Sequence, residues 1–227
     1  MRNKYITKRL HSSYRDILLL RDMVYWAQQV EICRISKFLF RENEVFGKIM
    51  ITTSRLTIRP IEESDWTAIK EIWDDFKNTE FVIYDNYKDT SPESLQPRIA
   101  KWAEATRKGN EHMFFATCLK GETIGFTSIN IVAPSEYEIG YGYTSKSQGH
   151  GFAKEALTTI LEYMKELGAT KIHAGTALKN IPSVALLKSL GFELTSTEQI
   201  SFFKDDAGNN IYFEGGNFTR NLALENK

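Results

Sequence analysis

A chain of 227 residues is long enough for one good-sized domain with an extension, or for two small domains. Its 42% apolar and 26% charged residues are ordinary for a globular protein, and 29 basic against 29 acidic side chains leave no global field to attract nucleic acid or an acidic partner. Two cysteines, Cys33 and Cys118, give neither a disulfide framework nor zinc spacing, and no apolar run reaches the roughly 18 residues of a membrane span. No metal site and no secretory signal are expected, and the default setting is reducing and cytoplasmic.

The zero balance hides an asymmetry. Residues 1–49 hold ten Lys or Arg against five Asp or Glu, and the remainder of the chain is acidic by the same margin. Ile17, Leu18, Leu20, Val24, Ala27, Val30 and Ile35 stand loosely at helical spacing, which predicts one or two helices there. The character changes at Met50, which is read as the boundary between a basic extension (1–49) and the main domain (50–227). The extension is either a helical addition docked on the domain or an upstream stretch included by too early a start, the second being preferred. Its charge and Tyr25-Trp26 would also suit a membrane surface or RNA, against a plain solvated helix pair or a stretch that does not fold.

Beyond Met50 the punctuation is clear. RLTIRP alternates as a strand and stops at Pro60. SDWTAIKEIWDDF puts Trp66, Ile69, Trp73 and Phe76 on one helical face behind a Ser/Asp cap. An aromatic connection leads to a second helix, with proline near its start and Gly109 past its end. Two apolar runs divided at Lys120-Gly121 predict a hairpin, and YEIGYGYT a further strand. Then come the turn SKSQGHG, a helix with Ala153, Ala156, Leu157, Ile160, Leu161, Met164 and Leu167 on one face, the strand ATKIHAGT, a helix closed by Gly191, and a terminal hairpin. The order β-α-α-β-β-β-α-β-α-β-β argues for an α+β fold on a largely antiparallel sheet.

Gly149 and Gly151 lie where a strand hands over to a helix. Such a place offers unpaired N–H groups and partial positive charge, and glycine lets an anion approach the backbone. A phosphate cradle is one reading, and a tight turn that needs positive φ is the other. A dinucleotide fingerprint fails because Lys154 stands where a third glycine belongs, and the nucleotide-binding Gly-Lys-Ser/Thr is absent. What remains is Gln-x-x-Gly-x-Ala, as Gln148, Gly151 and Ala153.

Together with TSRLTIRPIEESD, EIGYGY and NIPSVALLKSLGFE, in this order, the motif resembles the GCN5-related N-acetyltransferase (GNAT) superfamily, nearest the ribosomal-protein alanine acetyltransferases. The resemblance runs from Met50 to about Leu222. It implies a central mixed sheet with helices on both faces, and acetyl coenzyme A as co-substrate. It implies that Gln148, Gly149, His150, Gly151, Phe152, Ala153 and Lys154 hold the pyrophosphate. The pantetheine arm would lie between two splayed parallel strands, YEIGYGYT and ATKIHAGT, beside Tyr141 and Tyr143. Gly140 and Gly142 would either serve that approach or merely ease packing. Asn180 and Ser183 would touch the coenzyme, cap a helix, or do both.

Glu138 is the candidate base by position, a carboxylate half-buried among Ile139, Tyr141 and Tyr143. Substrate recognition or a structural ion pair are its other readings. Many relatives carry a tyrosine seven residues after the asparagine as acid, whereas this chain has Leu187. Tyr141, Tyr143, Tyr212 or water would then protonate the leaving thiolate. Tyr84 and Tyr87 are the acceptor-side candidates, His150 is read as an exposed neighbour of the phosphates, and His173 as a satisfied interior residue. The implied reaction is acetyl transfer to a primary amine, either a protein N-terminus or a small amine. The alternative is a non-catalytic acyl coenzyme A binding module.

Overall fold

The computed structural model describes residues 50–109 and 112–222. The helices expected in residues 1–49 lie outside the described residues. The strands are β1 (Ile51–Thr52), β2 (Leu56–Pro60), β3 (His112–Leu119), β4 (Glu122–Ala133), β5 (Glu136–Tyr143), β6 (Lys171–Ala177), β7 (Glu193–Lys204) and β8 (Asn210–Asn221). The helices are α1 (Trp66–Lys77), α2 (Pro92–Lys108), α3 (Phe152–Glu166) and α4 (Ile181–Ser189). The expected order is present, preceded by the short β1, which pairs with β2.

One sheet runs β1-β2-β3-β4-β5-β6-β8-β7. Every neighbouring pair is antiparallel except β5 with β6, whose parallel course is made possible by the α3 crossover between them. The β3–β4 hairpin turns at Lys120 and Gly121, both at positive φ.

Strand alternation sends apolar side chains to two separate cores. Met113 and Phe115 of β3 join Ile139, Ile172 and Phe218 under α3 and α4, which contribute Leu157, Ile160, Leu161, Met164 and Leu187. Phe114, between them in sequence, faces the other way. There Ile69, Ile72 and Trp73 of α1 meet Leu95, Ile99 and Ala103 of α2, with Phe126 of β4. Trp102 stacks on Phe114 at 4.0 Å between ring centroids and makes a T-shaped contact with Trp73 at 5.8 Å. Helices thus cover both faces, as the family resemblance implied.

Asp65, expected to cap α1, does other work. It makes no side-chain cap to that helix. Its carboxylate takes a forked pair from Arg59 at 2.7 and 2.9 Å, the Thr123 hydroxyl at 2.8 Å and the Glu62 N–H at 2.7 Å. Burial raises its pKa, but these hydrogen bonds outweigh that and hold it below the ordinary value. Among the described residues no helix is long and apolar enough to cross a membrane.

Candidate active site

β5 and β6 pair at Glu136–Lys171, Tyr137–Ile172 and Glu138–His173, and there the ladder ends. Past that point β5 continues on β4 as far as Tyr143, and β6 continues on β8 as far as Ala177. The two strands therefore open into a wedge, with Glu138 and His173 at its closed end. Two hydrogen bonds fix the backbone phase. The Thr144 N–H reaches the Ile124 carbonyl at 3.0 Å, and the Ser135 carbonyl receives the Thr170 N–H at 2.8 Å. Odd-numbered residues of β5 thus turn their peptide groups toward β6, so the main chain of Tyr141 and Tyr143 faces the wedge.

The side chains of β5 require corrections. Glu138 is exposed, not half-buried among Ile139, Tyr141 and Tyr143. It has the opposite strand parity and stands on the α1/α2 face, whereas Ile139 and Tyr141 pack under α3 and α4. The Tyr143 phenol does not enter the wedge. It crosses Gly125 of β4, where a Cβ would meet its ring at 2.3 Å, and its hydroxyl lies 3.3 Å from Thr117 Oγ1 on β3. Burial pushes its pKa up to about 12. Gly140 and Gly142 serve packing. A Cβ on the first would meet Ser128 Oγ at 2.7 Å, and on the second Phe126 at 2.8 Å.

Tyr141 reaches from β5 to α4. Its hydroxyl lies 2.9 Å from Ser183 Oγ at the start of α4. Burial, partly offset by that hydrogen bond, raises its pKa. Asn180 is the N-cap of α4 and accepts the Ser183 N–H at 3.3 Å, so its capping role is present. Leu187 is fully buried in the core and offers nothing to the wedge.

At the open end, Gly149 and Gly151 have φ of +77° and +78°. A Cβ on Gly149 would meet nothing within 4 Å, so conformation rather than crowding calls for glycine there. Gly151 is the N-cap of α3 and leaves the opening N–H groups of that helix without a side-chain cap. Gln148, His150 and Lys154 are exposed around it, and Phe152 and Ala153 partly so.

Three partners missed by the sequence reading hold this turn and its approach. Arg55, just before β2, donates to the His150 carbonyl at 3.1 Å and to Glu155 in the first turn of α3 at 2.6 and 2.7 Å. On the α1 side, the Asp75 carboxylate accepts the Ser145 N–H at 2.7 Å, and Glu71 pairs with Lys146 at 2.9 Å. Contacts between residues 70 to 100 positions apart leave no periodic trace in a sequence.

On the α1/α2 face, His173 is only partly buried, not interior. It bonds Glu136 Oε2 at 3.1 Å and Thr219 Oγ1 at 3.2 Å. Tyr84, in a short 3-10 turn after α1, packs on Phe213 of β8 at 5.1 Å between centroids. Tyr87 stands apart, exposed, with the Lys77 ammonium 5.5 Å from its ring centroid. A shallow hollow of about 480 Å³, lined by Glu63, Trp66, Glu93 and Pro97 among others, includes no residue of the wedge or the glycine turn.

This arrangement has relatives. Residues 55–193 match the model of the acetyltransferase (GNAT) domain. An N-acetyltransferase of Bacillus subtilis (strain 168), YnaD, is 32% identical over 146 residues, covering 62% of this chain and 81% of its own. The [ribosomal protein uS5]-alanine N-acetyltransferase of Escherichia coli (strain K12) is 29% identical over 166 residues, covering 69% and 83%. Mycobacterium smegmatis RimJ, solved in complex with CoA-disulfide, superposes with a TM-score of 0.62 at 21% identity, over 76% of this chain and 84% of its own. Family match, sheet topology and relatives agree that the chain belongs to the GNAT family of N-acetyltransferases and is an acyltransferase.

Proposed function

We propose that the protein transfers the acetyl group of acetyl coenzyme A directly to a primary amine, with a protein N-terminus as the first acceptor to consider and a small amine as the second. The observation that carries this reading is the wedge between β5 and β6, opening beside a glycine turn with an uncapped helix behind it. The peptide groups of Tyr141 and Tyr143, turned toward the wedge beyond the last β5–β6 rung, suit an amide-bearing arm, and the turn suits a pyrophosphate. The complex of RimJ with CoA-disulfide and the uS5-alanine specificity of the E. coli relative support the donor and the acceptor respectively.

The thioester supplies the acetyl group and a thiolate that can leave. An α-amino group titrates near 8, so about a tenth of it is already neutral at pH 7, and a lysine amine far less. The neutral amine forms the N–C bond as the C–S bond breaks. Glu138, exposed at the closed end of the wedge, accepts the surplus ammonium proton directly or through water. With Leu187 sealed in the core, the departing thiolate takes its proton from solvent. The free, buried thiol of Cys118 suits a reducing, cytoplasmic setting.

The test is thiol release from acetyl coenzyme A in the presence of peptides with free α-amino groups and a panel of small amines. Acetylated peptide found by mass spectrometry is the expected result. Absence of thiol release with every amine, from protein that binds the coenzyme, would overturn the proposal.

A further inference from the structure

Gln148 to Gly151 form an exposed turn with two glycines at positive φ and no side-chain cap at its end. Such a segment has wide conformational freedom and few contacts of its own to restrict it. Its restraint comes from Arg55. One guanidinium N–H holds the His150 carbonyl inside the turn, while Nε and Nη2 grip Glu155 in the first turn of α3. The guanidinium also lies over the Phe152 ring, 4.6 Å from its centroid. Thr53 completes the fixture, since its hydroxyl donates to the other Glu155 oxygen and accepts the Leu56 N–H at 2.9 Å.

Charge adds a second reason for this contact. Glu155 puts a carboxylate in the first turn of the helix whose N-terminus is to receive an anion. A carboxylate there repels a pyrophosphate unless a cation neutralises it and turns it aside. Hydrogen bonding from Thr53, opposed by partial burial and reinforced by Arg55, holds this carboxyl below its ordinary pKa, so it is charged at neutral pH.

We infer that Arg55 is a positioning residue for coenzyme binding: by holding the His150 carbonyl and the Glu155 carboxylate together, it fixes the glycine turn in the shape that receives the pyrophosphate. This rests on the reading of the turn as the coenzyme's phosphate site. Arg55 acts through the turn and not on the reacting atoms. Its loss therefore weakens coenzyme binding and leaves the chemical step intact.

The experiment uses the full chain. Calorimetric titration with coenzyme A comes first, followed by KM and kcat for acetyl coenzyme A in wild type, Arg55→Gln, Arg55→Lys, Glu155→Gln and the double variant Arg55→Gln/Glu155→Gln. Arg55→Gln should raise KM about tenfold, the scale of one lost charge-assisted hydrogen bond, with kcat little changed. Arg55→Lys keeps the charge but lacks the fork, and should also bind more weakly than wild type. Glu155→Gln removes the repelling carboxylate together with the anchor, so the double variant should be no worse than Arg55→Gln alone. An unchanged KM in Arg55→Gln overturns the inference. So does full recovery by lysine, which would make Arg55 a simple point charge. Failure of the wild-type chain to bind coenzyme A overturns both this inference and the phosphate-site reading, whereas wild-type binding with an unaltered Arg55→Gln removes only the positioning role.

Discussion

The Tyr141 hydroxyl on β5 lies 2.9 Å from the Ser183 hydroxyl on α4, joining β5 to the helix that follows β6 where the two strands themselves have already parted. Tyr141→Phe removes this link and keeps the ring. The expected cost is about 1 kcal/mol of stability, the usual net value of one such bond. Because burial raises the Tyr141 pKa, the phenol stays neutral well into alkaline solution, and this cost should be constant from pH 6 to about 9. Denaturant melts of both proteins across that range check it. A difference that vanishes by pH 8 would mean that the phenol titrates early or bonds elsewhere.

Acetyl coenzyme A should raise the melting temperature of the wild-type protein, and Gly151→Val should abolish that rise. That rise corresponds to roughly 2.7 kcal/mol at a ligand concentration 100 times Kd. The cause is backbone conformation. The nearest atom to a new Cβ is Arg55 Nη2 at an ordinary 3.7 Å, but φ is +78°, which a β-branched residue resists. Thermal melts with and without ligand decide it, and a normal shift in the variant would place the phosphate site elsewhere.

Glu138→Gln should slow turnover by ~10²–10⁴-fold while leaving coenzyme affinity nearly intact. The deficit should shrink as pH rises, since more of the acceptor amine is then neutral without help. Rate profiles from pH 6 to 9 for both proteins test this. An unchanged rate at pH 7 would reduce Glu138 to a recognition or surface role.

Asp65→Asn should destabilise the fold at pH 7 by on the order of 2 kcal/mol, because it leaves a partly buried Arg59 without its counter-charge. The Asp65 pKa is lower in the folded protein than in the unfolded chain. Its contribution is therefore fully present above the unfolded value, about 4, and is lost as pH falls through the folded one. The gap between wild type and variant, read from urea melts at pH 7 and pH 3, should narrow in acid. A gap that widens in acid would contradict the sign of the shift.

Much of this arrangement was legible in the sequence, for identifiable reasons. Lys120-Gly121 marked a hairpin because a two-residue turn needs left-handed backbone. The spacing of Leu157, Ile160, Leu161 and Met164 marked α3 because one helical face had to be buried. The face of Glu138 was also legible and was misread. Counting by twos along YEIGYGYT separates it from Ile139, Tyr141 and Tyr143. The path of the Tyr143 ring over Gly125 was not legible, since it depends on which strand lies next door and in what register. Nor was the grip of Arg55 on Glu155. Surface charges pair through three-dimensional proximity, and a sequence of ordinary charge density offers many equally plausible partners.

Among the described residues, the single parallel pairing between β5 and β6 spans three residue pairs, and it is all that stitches the strands β1 to β5 to the strands β6, β8 and β7 within the sheet. The sheet is thus two antiparallel leaves meeting along a short seam. A ligand lodged in the wedge would extend that seam by adding rungs between leaves that otherwise diverge. Amide protons on β5 beyond Glu138 and on β6 beyond His173 should then gain protection from exchange together when coenzyme binds, although they belong to different leaves. In this fold the donor of the acetyl group would double as a splice between two halves of a sheet.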